Sequence, residues 1–283
     1  MTVRSFACQL SWELRKLWAR PRTHLGFAVS LLFEIALVLL YRTTSLADVL
    51  DRNAWHVPAE LAGPLSGLTV AAHVAGETMV FVASLFLALV AGDVIANESE
   101  ERTLHMIMSR AVTRESVLLQ KVLACGLYTV ALCLFVGVTS LALGLLVEGP
   151  GAIVFVSARE SIVGVHAFSA GLRRYALGTA MIAPCWLTFT LIAFTLSCCR
   201  MKPGAATVLA LTILLADHVV RLQPGFPGLL PYTLTTRLLT WRQVFGYRIA
   251  WLRIGRNLSE LFLVDGMLLA MAWWVFHRRE LAP

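Results

Sequence analysis

Charge is scarce in this sequence. Only 14% of its 283 residues are Asp, Glu, Lys or Arg, whereas a soluble domain carries about 25%. Nucleotide and metal signatures are missing as well. The chain has no G-x-x-x-x-G-K-[ST] phosphate loop, no H-E-x-x-H and no C-x-x-C. It therefore supplies no P-loop ATP chemistry, no zinc-protease helix and no dithiol redox motif. Cys8, Cys125, Cys133, Cys185, Cys198 and Cys199 all fall in apolar spans or on the side assigned to the cytoplasm, so no structural disulfide is expected. No 20–50-residue repeat and no low-complexity segment is visible.

Apolar residues fill the space that charge leaves. They make up 58% of the chain, and the mean hydropathy is +0.74. One globular core cannot hide that much apolar surface, so lipid must cover part of it. A bilayer core of about 30 Å needs about 20 apolar residues per helix. The pattern predicts an all-α membrane protein with six transmembrane helices, at 24–41, 70–95, 117–147, 175–199, 205–222 and 259–276. These form a single transmembrane domain over 1–283. Span one could pass for a secretion signal, but its basic flank and apolar stretch are too long for one. Pro184 predicts a kink in span four.

Residues 4–20 are amphipathic, with Phe6, Leu10, Leu14, Leu17 and Trp18 on one face, and predict an interfacial helix broken at Pro21. The net charge is +7. Lys and Arg gather at membrane edges and meet anionic lipid heads, and no basic-aromatic array points to nucleic acid. With the N-terminus inside, inner segments hold thirteen Lys/Arg and outer segments eleven. Six of the eleven lie between Arg221 and Arg256, so the 221–258 stretch is anomalous. Its run from Thr236 to Leu258 predicts one or two short helices lying on, or dipping into, the outer interface. The competing placement is cytoplasmic.

The segment between spans two and three is polar at its start and then amphipathic. Glu98, Glu100 and Glu101 are expected near a helix start, where the dipole favours anions. Leu104, Ile107 and Met108 share one helical face, and Arg110 and Arg114 make an i, i+4 basic pair. Such a helix can dock in a groove on a soluble partner; a solvated loop of balanced charge is the alternative.

Here the sequence resembles the ABC type-2 permeases, the membrane subunits of exporters with the type V fold. Gly92, Asp93, Glu98, Thr103, Leu104, Ser109, Arg110, Val112, Thr113, Arg114 and Lys121 occupy places of the family's motif after its second helix. The closing WWVFHRREL and the helix ending Arg20-Pro21-Arg22 also resemble family features. Ala111 stands where proline is usual, no glycine precedes Thr103, and Glu280 stands where aspartate is common.

The resemblance implies an N-terminal elbow helix, a cytoplasmic coupling helix within 97–114, and short re-entrant or interfacial helices between spans five and six. It implies a permease, not an enzyme, working as a dimer with a second copy or a paralogue. Two nucleotide-binding ATPase subunits below it would bind the ATP and Mg, so this chain would need no cofactor. A periplasmic partner is compatible with that architecture. The setting would be a bacterial inner membrane with both termini cytoplasmic. ATPase coupling would fall to Glu98, Glu101, Thr103, Leu104, Ile107, Met108, Arg110 and Arg114.

Charged groups inside a bilayer are functional candidates by default. Glu34 lies mid-span, too deep to snorkel. Glu77 and Asp217 lie in outer halves of their spans, and Asp93 and Asp265 also fall within spans. Glu34, Glu77 and Asp217 are candidates for a translocation path. Three rival readings differ in kind. An ion-coupled secondary carrier would show inverted repeats. An intramembrane enzyme would need clustered carboxylates or histidines at mid-depth. A membrane scaffold would need neither.

Overall fold

A computed structural model describes residues 3–43, 65–101, 113–157, 160, 162–199, 201–223 and 227–278. Eight α-helices and one β-hairpin are described. α1 is Val3–Trp18 and α2 is Pro21–Tyr41. α3 is Gly67–Glu100, with one π-helical stretch at Met79–Ala83. α4 is Arg114–Glu148 and α5 is Phe168–Cys198. α6 is Pro203–Leu222, α7 is Leu234–Leu238 and α8 is Trp251–His277. Six of these, α2, α3, α4, α5, α6 and α8, are long and apolar enough to cross a membrane.

Local chemistry sets the ends. Pro21 is the first residue of α2, where its missing N–H costs nothing. It starts span one as well as separating it from α1. The side chains of Ser66 and Thr113 cap α3 and α4 by accepting from Thr69 N and Ser116 N, each at 3.3 Å. Gly149 closes α4 with φ +76°, a conformation natural to glycine.

α3 and α5 form the centre. Of their most apolar stretches 78% and 72% is buried, against 17–33% in the other four spans. Those four therefore present their exposed Leu, Val, Ile and Phe side chains outward, where lipid must cover them. Two ends of the bundle can be told apart. At one, α1 lies against the end of α3 and the start of α4, and Arg114 Nη1 donates to the His277 carbonyl at 3.0 Å. At the other, Gly67 N donates to the Gly149 carbonyl at 3.1 Å, beside the hairpin.

The hairpin was not foreseen from sequence. β1 (Ile153–Ser157) pairs antiparallel with β2 (Ile162–His166), Ile153 opposite His166 and Ser157 opposite Ile162. IVFVS and IVGVH carry the β-branched residues strands prefer, but they sat between long apolar spans.

The 221–258 stretch needs a correction. It holds three short helices, at Pro227–Tyr232, Leu234–Leu238 and Thr240–Phe245, where one or two were expected within 236–258, and they sit at the hairpin end. The last two reach inward: Leu238, Trp241, Val244 and Phe245 enter the core. Phe245 meets Phe155 of β1 with centroids 4.9 Å apart, and Trp241 edge-on at 5.9 Å. Arg174 of α5 donates to the carbonyls of Val244, Gly246 and Tyr247 at 2.7, 2.6 and 3.2 Å, closing the end of the last short helix. The final span begins at Trp251, eight residues before the predicted 259. Arg253 and Arg256 masked its start, because a helix longer than the hydrocarbon layer can carry charge in the headgroup zone.

The charge anomaly also resolves in part. Arg221 pairs with Glu160, Arg237 with Glu260 at 2.7 Å, and Arg242 with Glu77 at 3.7 Å. Arg256 also lies 3.1 Å from Glu260, so four of the six arginines are internally paired and are weak topology signals.

Candidate functional site

The most concentrated polar chemistry lies where α1 meets the bundle. The amphipathic pattern of α1 turns Leu14 and Leu17 into the core. That places Glu13 and Lys16 beside the junction of α3 and α4. Lys121 Nζ of α4 lies 2.7 Å from Glu98 Oε2 and 3.5 Å from Glu13 Oε2. Lys16 of α1 holds the other Glu98 oxygen. The result is a chain, Glu13–Lys121–Glu98–Lys16, of two acids and two bases with no net charge. Lys121 and Glu98 are almost completely buried, at 1% and 2% exposure. Burying either alone would be costly, so each depends on the others.

Neighbouring contacts stiffen this knot. Gln120 Nε2 donates to Gln9 Oε1 at 2.6 Å and to Ser116 Oγ at 3.0 Å. Arg22, at the start of α2, pairs with Asp93 of α3. Thr23 Oγ1 donates to the Leu17 carbonyl at 2.7 Å, and Trp18 stacks on Phe27 at 5.5 Å. The α1–α2 corner is therefore fixed to α3 and α4 by ion pairs and side-chain bonds. A cleft bordered by Glu13, Lys16, Arg20, Arg22, Glu98 and Lys121 opens beside it.

The predicted coupling residues divide sharply. Thr103, Leu104, Ile107, Met108 and Arg110 lie outside the described residues. Glu98 and Glu101 do not stand at a helix start. α3 runs on to Glu100, so Glu98 is in its last turn and Glu101 just after it. The dipole disfavours an acid there, and Lys121 and Lys16 supply the compensation instead. Glu101 is exposed and accepts from Asn97 Nδ2 at 2.8 Å. Arg114 opens α4. Glu98 thus sits four residues before the 102–112 segment, and Arg114 and Lys121 follow it.

Sequence reasoning singled out Glu98 and placed Lys121 in the same motif, but did not pair them or join them to Lys16 and Glu13. A signal existed: Lys121 interrupts the apolar run VLLQKVLAC, and a lysine there needs an acid nearby.

The intramembrane candidates do not converge on one place. Glu34 is completely buried on the α2 stripe Thr23, Gly26, Ser30, Glu34 and Val38. It stands beside Thr139 and Ser140 of α4, and neither carboxylate oxygen has a hydrogen-bond partner among the described residues. Glu77 is partly exposed beside Arg242. Asp217 accepts from Leu234 N at 2.9 Å and from Thr235 N and Oγ1 at 2.6 Å each. Those bonds cap α7 and occupy both oxygens. Asp265 is buried against Thr188. Among the described residues no group of three or more His, Cys, Asp or Glu could hold a metal ion.

With that geometry in hand, two comparisons bear on the chain. A family model described as ABC-2 family transporter protein matches residues 9–216. The match takes in α1 to most of α6, and with them every member of the buried ion chain. No curated protein matches the sequence at a significant level.

Proposed function

Since the chain belongs to the ABC-2 transporter family, we propose that it is the membrane permease of an ATP-driven exporter, paired with a second permease and driven by two separate ATPase subunits. The observation that carries this reading is the buried chain Glu13–Lys121–Glu98–Lys16. It flanks the 102–112 segment, which resembles the part of these permeases that touches the ATPase. A force on that segment would reach Glu98 at the end of α3 and Lys121 in α4. Through them it would reach α1, and through Arg22–Asp93 it would reach α2. A scaffold or a secondary carrier has no need of such a bracket around one loop. The elbow end would face the cytoplasm of a bacterial cell, with both termini there, and the hairpin end would face outward.

Two outcomes follow. The purified chain alone will show no ATP hydrolysis above background, and tagged chain drawn from its native membrane will bring down an ATPase subunit. Robust turnover by the isolated polypeptide would overturn the assignment. Glu34 is a candidate contact on the translocation path. Glu34→Gln keeps shape and removes the ability to ionise, so folding stability should stay within about 1 kcal/mol of wild type. Substrate-coupled ATPase of the assembled complex should fall several-fold. Unchanged coupling with intact folding would give Glu34 a structural role only.

A further inference from the structure

The arginines that remain after internal pairing mark a surface at the hairpin end. Arg248 lies just before α8 and Arg253 in its first turn. Both are exposed, and neither has an ion pair or hydrogen bond among the described residues. The nearest acid along α8, Glu260, is already shared by Arg237 at 2.7 Å and Arg256 at 3.1 Å. Next to Arg248 and Arg253 in the chain stand Tyr247, Trp251 and Leu252, exposed by 76%, 58% and 93%.

Helix length fixes their depth. α8 has 27 residues, about 40 Å at 1.5 Å each, against a hydrocarbon core of about 30 Å. Its other end has the marks of a membrane boundary: Arg278 lies over the Trp274 ring at 4.3 Å, and His277 packs on Trp273 at 4.5 Å. Counting back about 20 residues from there brings the start of α8 into the opposite headgroup layer. Tyr and Trp prefer that layer.

We propose that Arg248 and Arg253, flanked by Tyr247 and Trp251, form a docking surface for the phosphate of an anionic phospholipid in the leaflet at the hairpin end. Charge complementarity chooses the occupant. Two guanidiniums at headgroup depth, neither of them ion-paired among the described residues, match a phosphodiester in sign, and a zwitterionic head offsets that charge with its own ammonium. The surface is independent of the permease assignment.

The test uses the full chain in detergent with equal amounts of phosphatidylglycerol and phosphatidylcholine, and bound lipid is counted by native mass spectrometry. Each arginine near such a surface contributes several-fold, so the wild type should hold about tenfold more phosphatidylglycerol than Arg248→Gln/Arg253→Gln. Arg248→Lys/Arg253→Lys should recover a large part of it. Equal retention by the wild type and the glutamine pair would overturn the proposal. Should the glutamine pair fail to fold, competition on the wild type decides. Displacement of the lipid by millimolar inorganic phosphate would mean a free-anion site and overturn lipid docking; retention supports it.

Discussion

Lys121→Met should destabilise the protein by about 3–5 kcal/mol, the cost typical of leaving a buried partner charge uncompensated. Lys121 is 1% exposed and stands between Glu98 and Glu13. Without it, Glu98 loses its buried cation and keeps Lys16, whose side chain is one-third exposed and partly solvated. Methionine fills much the same volume, so the loss would be electrostatic rather than a cavity. Thermal unfolding in detergent, followed by tryptophan fluorescence, should show a fall on the order of 10 °C. Adding Glu98→Gln should return a large share of the stability, because the pair is then removed together. Glu101→Gln is the control: exposed and, among the described residues, bonded to Asn97, it should change stability by less than about 0.5 kcal/mol. A Lys121→Met protein as stable as wild type would show that the ion chain does not hold α1 to the bundle.

Gly144→Val should be nearly as damaging for a different reason. α3 and α4 touch backbone to backbone at the hairpin end. A Cβ on Gly144 would lie 2.4 Å from the Gly67 carbonyl oxygen, and one on Gly67 would lie 2.5 Å from the Gly144 carbonyl oxygen. Small residues at such crossings let helices approach closely in a membrane, where packing rather than water drives association. Valine must push the backbones apart, at a cost of about 3 kcal/mol or more. The movement also threatens the Gly67 N–Gly149 carbonyl bond and the Ser66 Oγ–Ala152 carbonyl bond at 2.5 Å. Folded yield and resistance to proteolysis should both drop. Gly266→Ala is the contrast. Its Cβ would meet nothing within 4 Å, so it should be neutral or raise stability by up to about 1 kcal/mol. Equal behaviour of the two variants would remove close packing as the explanation.

The two sites differ in how far the sequence revealed them. Glu98 was legible as a candidate because it sits in a polar stretch between apolar spans. Its burial was not, since that depends on α1 folding back over the α3–α4 junction. Asp217 reads in sequence as an intramembrane acid. In the fold it caps α7, seventeen residues further on, a bond no periodicity encodes. The arginines of 221–258 looked like a breach of the charge rule until Glu77, Glu160 and Glu260 came alongside four of them.

By itself, the sequence determined the membrane class, the six spans and the amphipathic α1. Each follows from local quantities: apolar run length against bilayer thickness, and periodicity along one helix. Only the tertiary structure decided which spans are central, which charges neutralise one another and which arginines are left over. Those outcomes depend on pairs far apart in the chain, such as Glu13 with Lys121 and Glu77 with Arg242. In a low-dielectric interior a partner a few ångströms away outweighs anything its neighbours in sequence can say.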